Sequence, residues 1–116
     1  MKKAFSPAEI STLFVDYVNT GNLEGMVSLF EENATVAVSS NTFARGKDEI
    51  RAYFSQLLSH NPKFETVSHM QPIINGDIAL TSSRIPHAFV TVEVSRKQAD
   101  GSWLWFIDQP NITADN

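Results

Sequence analysis

The chain has 116 residues, and its 42% hydrophobic and 19% charged content is ordinary for one soluble globular domain. The absence of cysteine excludes disulfides, thiol catalysis and cysteine-based zinc sites. The formal net charge of -4 argues against a nucleic-acid partner or an anionic membrane, which would select a basic surface. No apolar run approaches membrane-spanning length, so we expect a cytoplasmic protein with one domain over residues 1–116. Residues 7–110 should form the ordered core and residues 111–116 a polar tail.

Three helices are predicted in the first half of the chain. Ser6-Pro7-Ala8-Glu9 is a capping sequence, and an apolar stripe at helical spacing follows it: Ile10, Leu13, Phe14, Tyr17 and Val18. Gly21 ends this helix, and Asn22 caps a short second one. A third helix should run from about Lys47 to Ser59, because Asn61-Pro62 stops it.

Strand patterns dominate the rest of the chain. Residues 34–39 alternate, the stretches 64–74 and 77–85 flank Asn75-Gly76, and a last hairpin turns at Asp100-Gly101. Pro72 predicts a bulge or an unpaired edge within its strand. This order of elements predicts an α+β fold, with a twisted antiparallel sheet and the three helices on one face.

The last hairpin carries the sharpest chemical hypothesis. A two-residue turn at Asp100-Gly101 pairs residues whose numbers sum to 201, so Glu93 faces Asp108 and Arg96 faces Trp105. Opposed side chains have Cβ atoms roughly 4.5–5.5 Å apart, close enough for two carboxyls to share a proton. The pair predicts an acid and a base in one pocket, beside Phe106. Two alternatives remain: a bulge that slips the register, or a pair with only a structural role.

The other face of this hairpin is apolar and needs a cover. Because soluble monomers rarely expose so large an apolar patch, we expect a second copy of the chain to cover it. The predicted dimer interface consists of Val92, Val94, Arg96, Trp103, Trp105 and Ile107. The alternative is that the two tryptophans form an aromatic platform for a ligand.

Several segments resemble one known superfamily. The stretches Tyr17–Leu23 (YVNTGNL), Phe30–Val36 (FEENATV), Gly76–Leu80 (GDIAL) and Arg96–Pro110 (RKQADGSWLWFIDQP) are similar to the nuclear transport factor 2-like superfamily. Within that superfamily, they are most similar to its SnoaL-like, DUF4440-type group. The resemblance implies a cone-shaped, curved antiparallel sheet around a pocket closed by three N-terminal helices. It also implies a convex sheet face that often forms a dimer.

The resemblance also implies which residues line the pocket. In the ketosteroid isomerases of this superfamily, the catalytic tyrosine, base and protonated aspartate would fall at Phe14, Val38 and Glu93. Only Glu93 can ionise, so that mechanism is excluded. The expected ligand-binding residues are Phe14, Val38, Tyr53, Phe54, Thr91 and Phe106, with Glu93 and Asp108 as the acid–base pair. Tyr53 could donate its hydroxyl to a ligand, or could pack in the core with that hydroxyl at the rim.

The leading functional hypothesis is a small-molecule-binding domain with a partly polar pocket. The first alternative is an isomerase, dehydratase or cyclase that uses Glu93 and Asp108, and the second is a protein-association module with a filled core. We expect no cofactor and no metal, because His60, His69 and His87 share no metal-ligand spacing. His69 should point outward, and His87 is the histidine expected nearest to a ligand.

Overall fold

The computed structural model describes residues 1–64, 67–86 and 88–113. The predictions for His87 and for the end of the tail lie outside these residues. The helices are α1 (Pro7–Asn19), α2 (Leu23–Ser28) and α3 (Gly46–Leu58). The strands are β1 (Phe30–Ala37), β2 (Phe43–Arg45), β3 (Ser68–His69), β4 (Ile73–Asn75), β5 (Ile78–Thr81), β6 (Ser83–Ile85), β7 (Phe89–Val90), β8 (Val92–Lys97) and β9 (Trp103–Gln109).

The helices begin where the sequence predicts them. The Ser6 side chain accepts a hydrogen bond from the Glu9 backbone N–H, and the Glu9 carboxylate accepts one from the Phe5 N–H at 2.7 Å. The Asn22 side chain caps α2 by accepting from the Gly25 N–H at 2.9 Å. These caps satisfy backbone donors that have no partner within a helix, and they fix where α1 and α2 start.

The main sheet has six strands in the order β2-β1-β9-β8-β5-β4. It confirms the α+β class, but β1 and β9 run parallel, so the expectation of a wholly antiparallel sheet is wrong. The parallel pair arises because α3 and the hairpins intervene between the two strands and return the chain beside β1 in the same direction. β2 is a further difference, since it lies in a stretch predicted to be a connection.

A second, three-stranded sheet has the order β3-β6-β7. It exists because the long predicted strands are interrupted near Pro72, at Ser82 and at Thr91. The Ser82 hydroxyl donates to the Thr91 carbonyl at 2.7 Å, and the Thr91 N–H donates to the Ser83 carbonyl at 2.8 Å. These bonds keep the backbone groups paired through the break. The small sheet can therefore turn away from the main sheet and form another wall of the pocket.

The core lies between the helices and the inner face of the main sheet. Trp105 is at its centre, with ring centroids 5.4 Å from Phe14 and 5.3 Å from Phe30. Only 6% of Trp103 and 3% of Trp105 is exposed. The prediction that these two tryptophans lie at a dimer face is therefore wrong. Of the two, Trp105 lines the cavity described below, so a ligand contact by Trp105 stays a prediction.

A bulge at Phe106 explains the error. Val94 pairs with Ile107, but the next pair is Ser95 with Trp105, so one residue of β9 has no partner. Such an insertion moves every side chain beyond it to the other face. Phe106 consequently lies on the outer face and not in the pocket, with its ring centre 4.3 Å from the Arg96 guanidinium carbon. Arg96 pairs with Leu104 and not with Trp105.

Beyond the bulge, two cross-strand rows run side by side across the sheet. The inner row is Val36, Asp108, Glu93 and Thr81. The outer row is Thr35, Ile107, Val94, Leu80 and Ile73. Each row member is the chain neighbour of a member of the other row, except at Ile73, because successive strand residues point to opposite faces.

In the part of the chain that the structure describes, no helix is long and apolar enough to cross a membrane. The cytoplasmic location stays a prediction.

Candidate functional site

A cavity of about 480 Å³ lies between the helices, the inner face of the main sheet and the small sheet. The structure brings seven of the predicted site residues to its wall: Phe14, Val38, Tyr53, Phe54, Thr91, Glu93 and Asp108. Phe106 is not among them, because the bulge places it on the outer face. A cavity of this size is in the range of small-molecule sites.

Most of the cavity wall is apolar. α1 contributes Phe14 and Val15, and α3 contributes Phe54 and Leu57. Phe89 from β7 adds an aromatic ring from the small sheet. Sequence reasoning missed that contribution, because it did not anticipate a separate small sheet. The body of any ligand that fills this space would be largely apolar.

Glu93 and Asp108 meet within this apolar surrounding. They are direct partners in the β8–β9 pairing, as predicted. The turn itself has three residues, 99–101, instead of two, and the unpaired Phe106 restores the predicted register beyond it. Only 3% of Glu93 and 6% of Asp108 is exposed. Thr81, the next member of the inner row, donates its hydroxyl to Glu93 Oε1 at 2.7 Å. A buried carboxylate needs such donors, because its transfer out of water is otherwise very unfavourable.

The two carboxyls have different surroundings. Burial, and then the charge of Glu93, raise the pKa of Asp108 well above its ordinary value. Burial also raises the pKa of Glu93, but hydrogen bonds from Thr91 and Thr81 oppose that rise. No described side chain donates a hydrogen bond to Asp108 that would stabilise its charge. Glu93 is therefore the first to ionise, and Asp108 keeps its proton to higher pH.

Tyr53 lies on α3 and faces the same pair. Burial, followed by the charge of Asp108, raises the pKa of the Tyr53 phenol. The phenol is thus a neutral hydrogen-bond donor near the carboxyls, and its ring packs 5.3 Å from the ring of Phe54. The ring packs against the core and the residue also lines the cavity, so donation of the hydroxyl to a ligand stays a prediction.

His69 is exposed, as predicted, but it also lines the cavity, which the sequence did not predict. Its Nδ1 atom lies 2.8 Å from Ser83 Oγ, and the two residues are cross-strand partners. The turn lies at Gly76-Asp77, one residue later than predicted, and it pairs residues whose numbers sum to 153, which would place Arg84 opposite His69. The break near Pro72 lowers that sum by one, and the shift turns His69 toward the cavity.

The described residues contain no group of three or more histidine, aspartate or glutamate side chains that could hold a metal ion. The carboxyl pair, Tyr53, His69 and the hydroxyl side chains that line the cavity can transfer protons and form hydrogen bonds.

Comparison with known proteins identifies the family. The model of the SnoaL-like domain matches residues 12–111. The chain belongs to the SnoaL-like domain family. No protein in a search of curated proteins matches this SnoaL-like chain significantly.

Solved structures show the same fold at low identity. A cystatin-like protein of unknown function from Nostoc punctiforme is 20% identical, with a TM-score of 0.70, and the match covers 90% of this chain and 86% of that one. A ketosteroid isomerase-like protein from Erwinia carotovora atroseptica is 12% identical, with a TM-score of 0.75 and coverages of 93% and 94%. A Thiobacillus denitrificans protein, provisionally named a calcium/calmodulin-dependent protein kinase type II association domain, is 15% identical, with a TM-score of 0.71 and coverages of 95% and 98%. These similarities establish a nuclear transport factor 2-like, cystatin-like fold and leave the molecular function open.

Proposed function

We propose that this SnoaL-like chain binds a small, mostly apolar organic molecule and hydrogen-bonds one polar group of that molecule through Asp108. The observation that carries the proposal is a buried pair of opposed carboxyls, Glu93 and Asp108, at the wall of a 480 Å³ cavity that is otherwise largely apolar. An apolar cavity with a few convergent polar groups is the usual form of a small-molecule site.

The raised pKa of Asp108 supports a ligand whose polar group is neutral. Burial and the charge of Glu93 raise the pKa of Asp108 and so favour its protonated form, which can donate a hydrogen bond to a hydroxyl or carbonyl oxygen. No described side chain donates a hydrogen bond to Asp108, whereas Glu93 already accepts one from the Thr81 hydroxyl at 2.7 Å. Asp108 is therefore the group available to a ligand.

Binding can be tested with two probes that differ in one hydroxyl, naphthalene and 2-naphthol. Asp108→Val retains the approximate size of the side chain and removes its hydrogen bonds. We expect 2-naphthol to bind the native protein and to bind the variant about tenfold more weakly, the effect of one lost hydrogen bond. Naphthalene should bind both proteins equally, as measured by fluorescence titration.

Asp16→Asn is the matched control, because Asp16 is an exposed aspartate on α1. It should leave the affinity for both probes unchanged. Equal affinity of 2-naphthol for the native protein and Asp108→Val would show that Asp108 does not contact the ligand. Absence of binding by both probes would remove the proposed function.

The unequal surroundings of the two carboxyls favour a second function at the same site, acid–base catalysis. A pair whose pKa values are pushed apart provides one group that accepts a proton and one that donates it. Here ionised Glu93 would remove a proton next to a carbonyl, and protonated Asp108 would hydrogen-bond the carbonyl oxygen. The reaction class is isomerisation, dehydration or cyclisation through an enol.

Hydrogen exchange separates catalysis from binding alone. The probe is 2-tetralone in D₂O, whose acidic C–H hydrogens exchange through an enol. We expect the native protein to accelerate deuterium uptake, and we expect Glu93→Gln and Asp108→Asn to lose that acceleration, as measured by NMR. Uptake at the buffer rate, with 2-tetralone bound, would leave ligand binding as the function.

We also propose that two copies of the chain associate through the outer face of the sheet. Support comes from the outer row and its surroundings, where Ile73, Leu80 and Ile107 are 66%, 42% and 48% exposed. Val92, Val94 and Arg96 remain in the proposed interface, Phe106 joins it, and Trp103 and Trp105 leave it. An exposed apolar patch of this kind is typical of an interaction surface.

A protein-association module with a filled core has less support. That alternative requires that no usable cavity exist, and the cavity of about 480 Å³ contradicts the requirement. A homodimer with a ligand pocket in each copy accounts for both faces of the sheet.

A further inference from the structure

The cavity has a second polar region on the small sheet, apart from the carboxyl pair. His69 on β3 and Ser83 on β6 are hydrogen-bonded through Nδ1 and Oγ at 2.8 Å, and both residues line the cavity. Ser83 is held in place, because its backbone N–H donates to the Thr91 hydroxyl oxygen at 3.0 Å. Only 5% of the Ser83 residue is exposed, so its position is fixed by the surrounding strands.

We infer that the ligand carries two polar ends, a neutral hydroxyl or carbonyl at Asp108 and a carboxylate at His69 and Ser83. This inference rests on the proposed ligand-binding function of the same cavity. It narrows the ligand to a hydroxy or oxo carboxylic acid whose body is apolar and about as large as a fused two-ring system.

The charges of the wall assign the carboxylate to His69. Among the described residues that line the cavity, His69 is the one side chain able to carry a positive charge, since they include no lysine or arginine. The acidic pair lies at the other polar region, where a ligand carboxylate would meet like charge. A histidine ring and a serine hydroxyl can both donate hydrogen bonds to carboxylate oxygens.

The strand spacing sets the length of the ligand. Thr81, which bonds Glu93, and Ser83 are two residues apart along the chain, on either side of the break at Ser82, and two residues span at most roughly 7 Å. The polar ends of the ligand should therefore be separated by about the length of a fused two-ring system. The apolar wall formed by Phe14, Phe54 and Phe89 suits the rings between them.

The test compares 2-naphthol with 6-hydroxy-2-naphthoate, which adds a carboxylate at the far end of the same rings. We expect the native protein to bind the hydroxynaphthoate about tenfold more tightly, the effect of a charge-assisted hydrogen bond. His69→Ala should abolish this gain and leave the affinity for 2-naphthol within about twofold. Ser83→Ala should remove part of the gain, because the histidine remains. Isothermal titration calorimetry measures the affinity of each protein for both compounds.

His60→Ala is the matched control, since His60 is an exposed histidine just after α3 and outside the cavity wall. It should change neither affinity. The second polar region is not a ligand site if 2-naphthol binds and 6-hydroxy-2-naphthoate binds no more tightly, or if His69→Ala retains the tighter binding of the hydroxynaphthoate. The proposed function stands in either case. If neither compound binds the native protein, both proposals fail.

Discussion

The inner and outer rows of the main sheet are built from neighbouring residues and have opposite chemistry. In the inner row, Glu93 and Asp108 are polar and buried. In the outer row, Leu80 and Ile107 are apolar and exposed. This is the reverse of the usual distribution, in which apolar side chains are buried and charged ones are in water.

The buried carboxyls of the inner row and the exposed apolar side chains of the outer row both favour contact with another molecule. Buried carboxyls cost stability unless they are paired or protonated, so their presence suits a site where a ligand supplies the missing partner. Exposed apolar side chains stabilise an assembly when another surface covers them, because apolar area is removed from water. In the proposed arrangement one hairpin would serve a pocket on one face and an interface on the other, and substitutions confined to one face should affect one property alone.

The largest expected effect comes from charging the outer row. Leu80→Glu combined with Val94→Glu should raise the dimer dissociation constant at least about 100-fold, because an unpaired charge buried at an interface costs about 3–5 kcal/mol. The cavity should remain intact, since both side chains point away from it. Sedimentation velocity over a range of concentrations measures the change.

Gln56→Glu adds negative charge at an exposed site on α3 and should leave the dimer unchanged. A native protein that sediments as a monomer at micromolar concentration would remove the proposed interface.

The inner row should make stability depend on pH. Because the folded state raises the pKa of Asp108, folding favours the protonated form, and this contribution is complete below about pH 4, where an unfolded aspartate titrates. It is lost as the pH rises toward and through the folded pKa. Asp108→Asn cannot ionise, so its stability should exceed that of the native protein at higher pH, by about 1.4 kcal/mol for each unit of pKa shift. Urea unfolding at a series of pH values measures the difference.

The same comparison has an internal check. The native and Asp108→Asn curves should converge toward pH 4 and separate above it. Parallel curves from pH 4 to pH 8 would show that the Asp108 carboxyl is not perturbed by burial and Glu93.

Replacing threonine by valine should lower the free energy of unfolding more in the inner row than in the outer row. Thr81→Val removes a hydroxyl that donates to buried Glu93, and it should cost about 1.5–3 kcal/mol of unfolding free energy at pH 7. Thr35→Val, in the outer row, should change stability by less than about 0.5 kcal/mol. Chemical denaturation measures both, and equal losses would show that the Thr81 hydrogen bond contributes little.

The smallest effect is expected at the bulge. Phe106→Leu removes the aromatic face that contacts the Arg96 guanidinium and should cost about 0.5–1 kcal/mol. Because Arg96 also bonds Glu31 at 2.9 Å, a double-mutant cycle with Arg96→Gln isolates the ring contact. A coupling energy of zero would show that the guanidinium and the ring are neighbours without a net interaction.

Neither hairpin turns at the two residues that the sequence predicts, so neither register was predictable next to its turn. In the last hairpin the turn covers residues 99–101, and Arg96 therefore pairs with Leu104 instead of Trp105. The bulge at Phe106 then restores the predicted register, so that Glu93 faces Asp108 as expected. The other turn lies at Gly76-Asp77, one residue later than predicted, and the break near Pro72 shifts the pairing again so that His69 is opposite Ser83.

Those irregularities are responses to the packing of the whole chain. A sheet that curves around three helices and a cavity must kink its strands, and bulges and breaks are how strands bend. With the bulge, Trp105 enters the core beside Phe14 and Phe30, where its ring is buried. Local sequence does not contain this preference, since Trp105 and Phe106 are both aromatic and either could face inward.

The sequence by itself determined the three helices, the caps of α1 and α2, the position of the last hairpin, the α+β class and the acidic partners Glu93 and Asp108, because these depend mainly on patterns within a short stretch of chain. The tertiary structure decided which aromatic side chains are buried, that β9 runs parallel to β1, and that His69 faces the cavity. Those outcomes depend on contacts between distant segments, where a one-residue shift reverses a face.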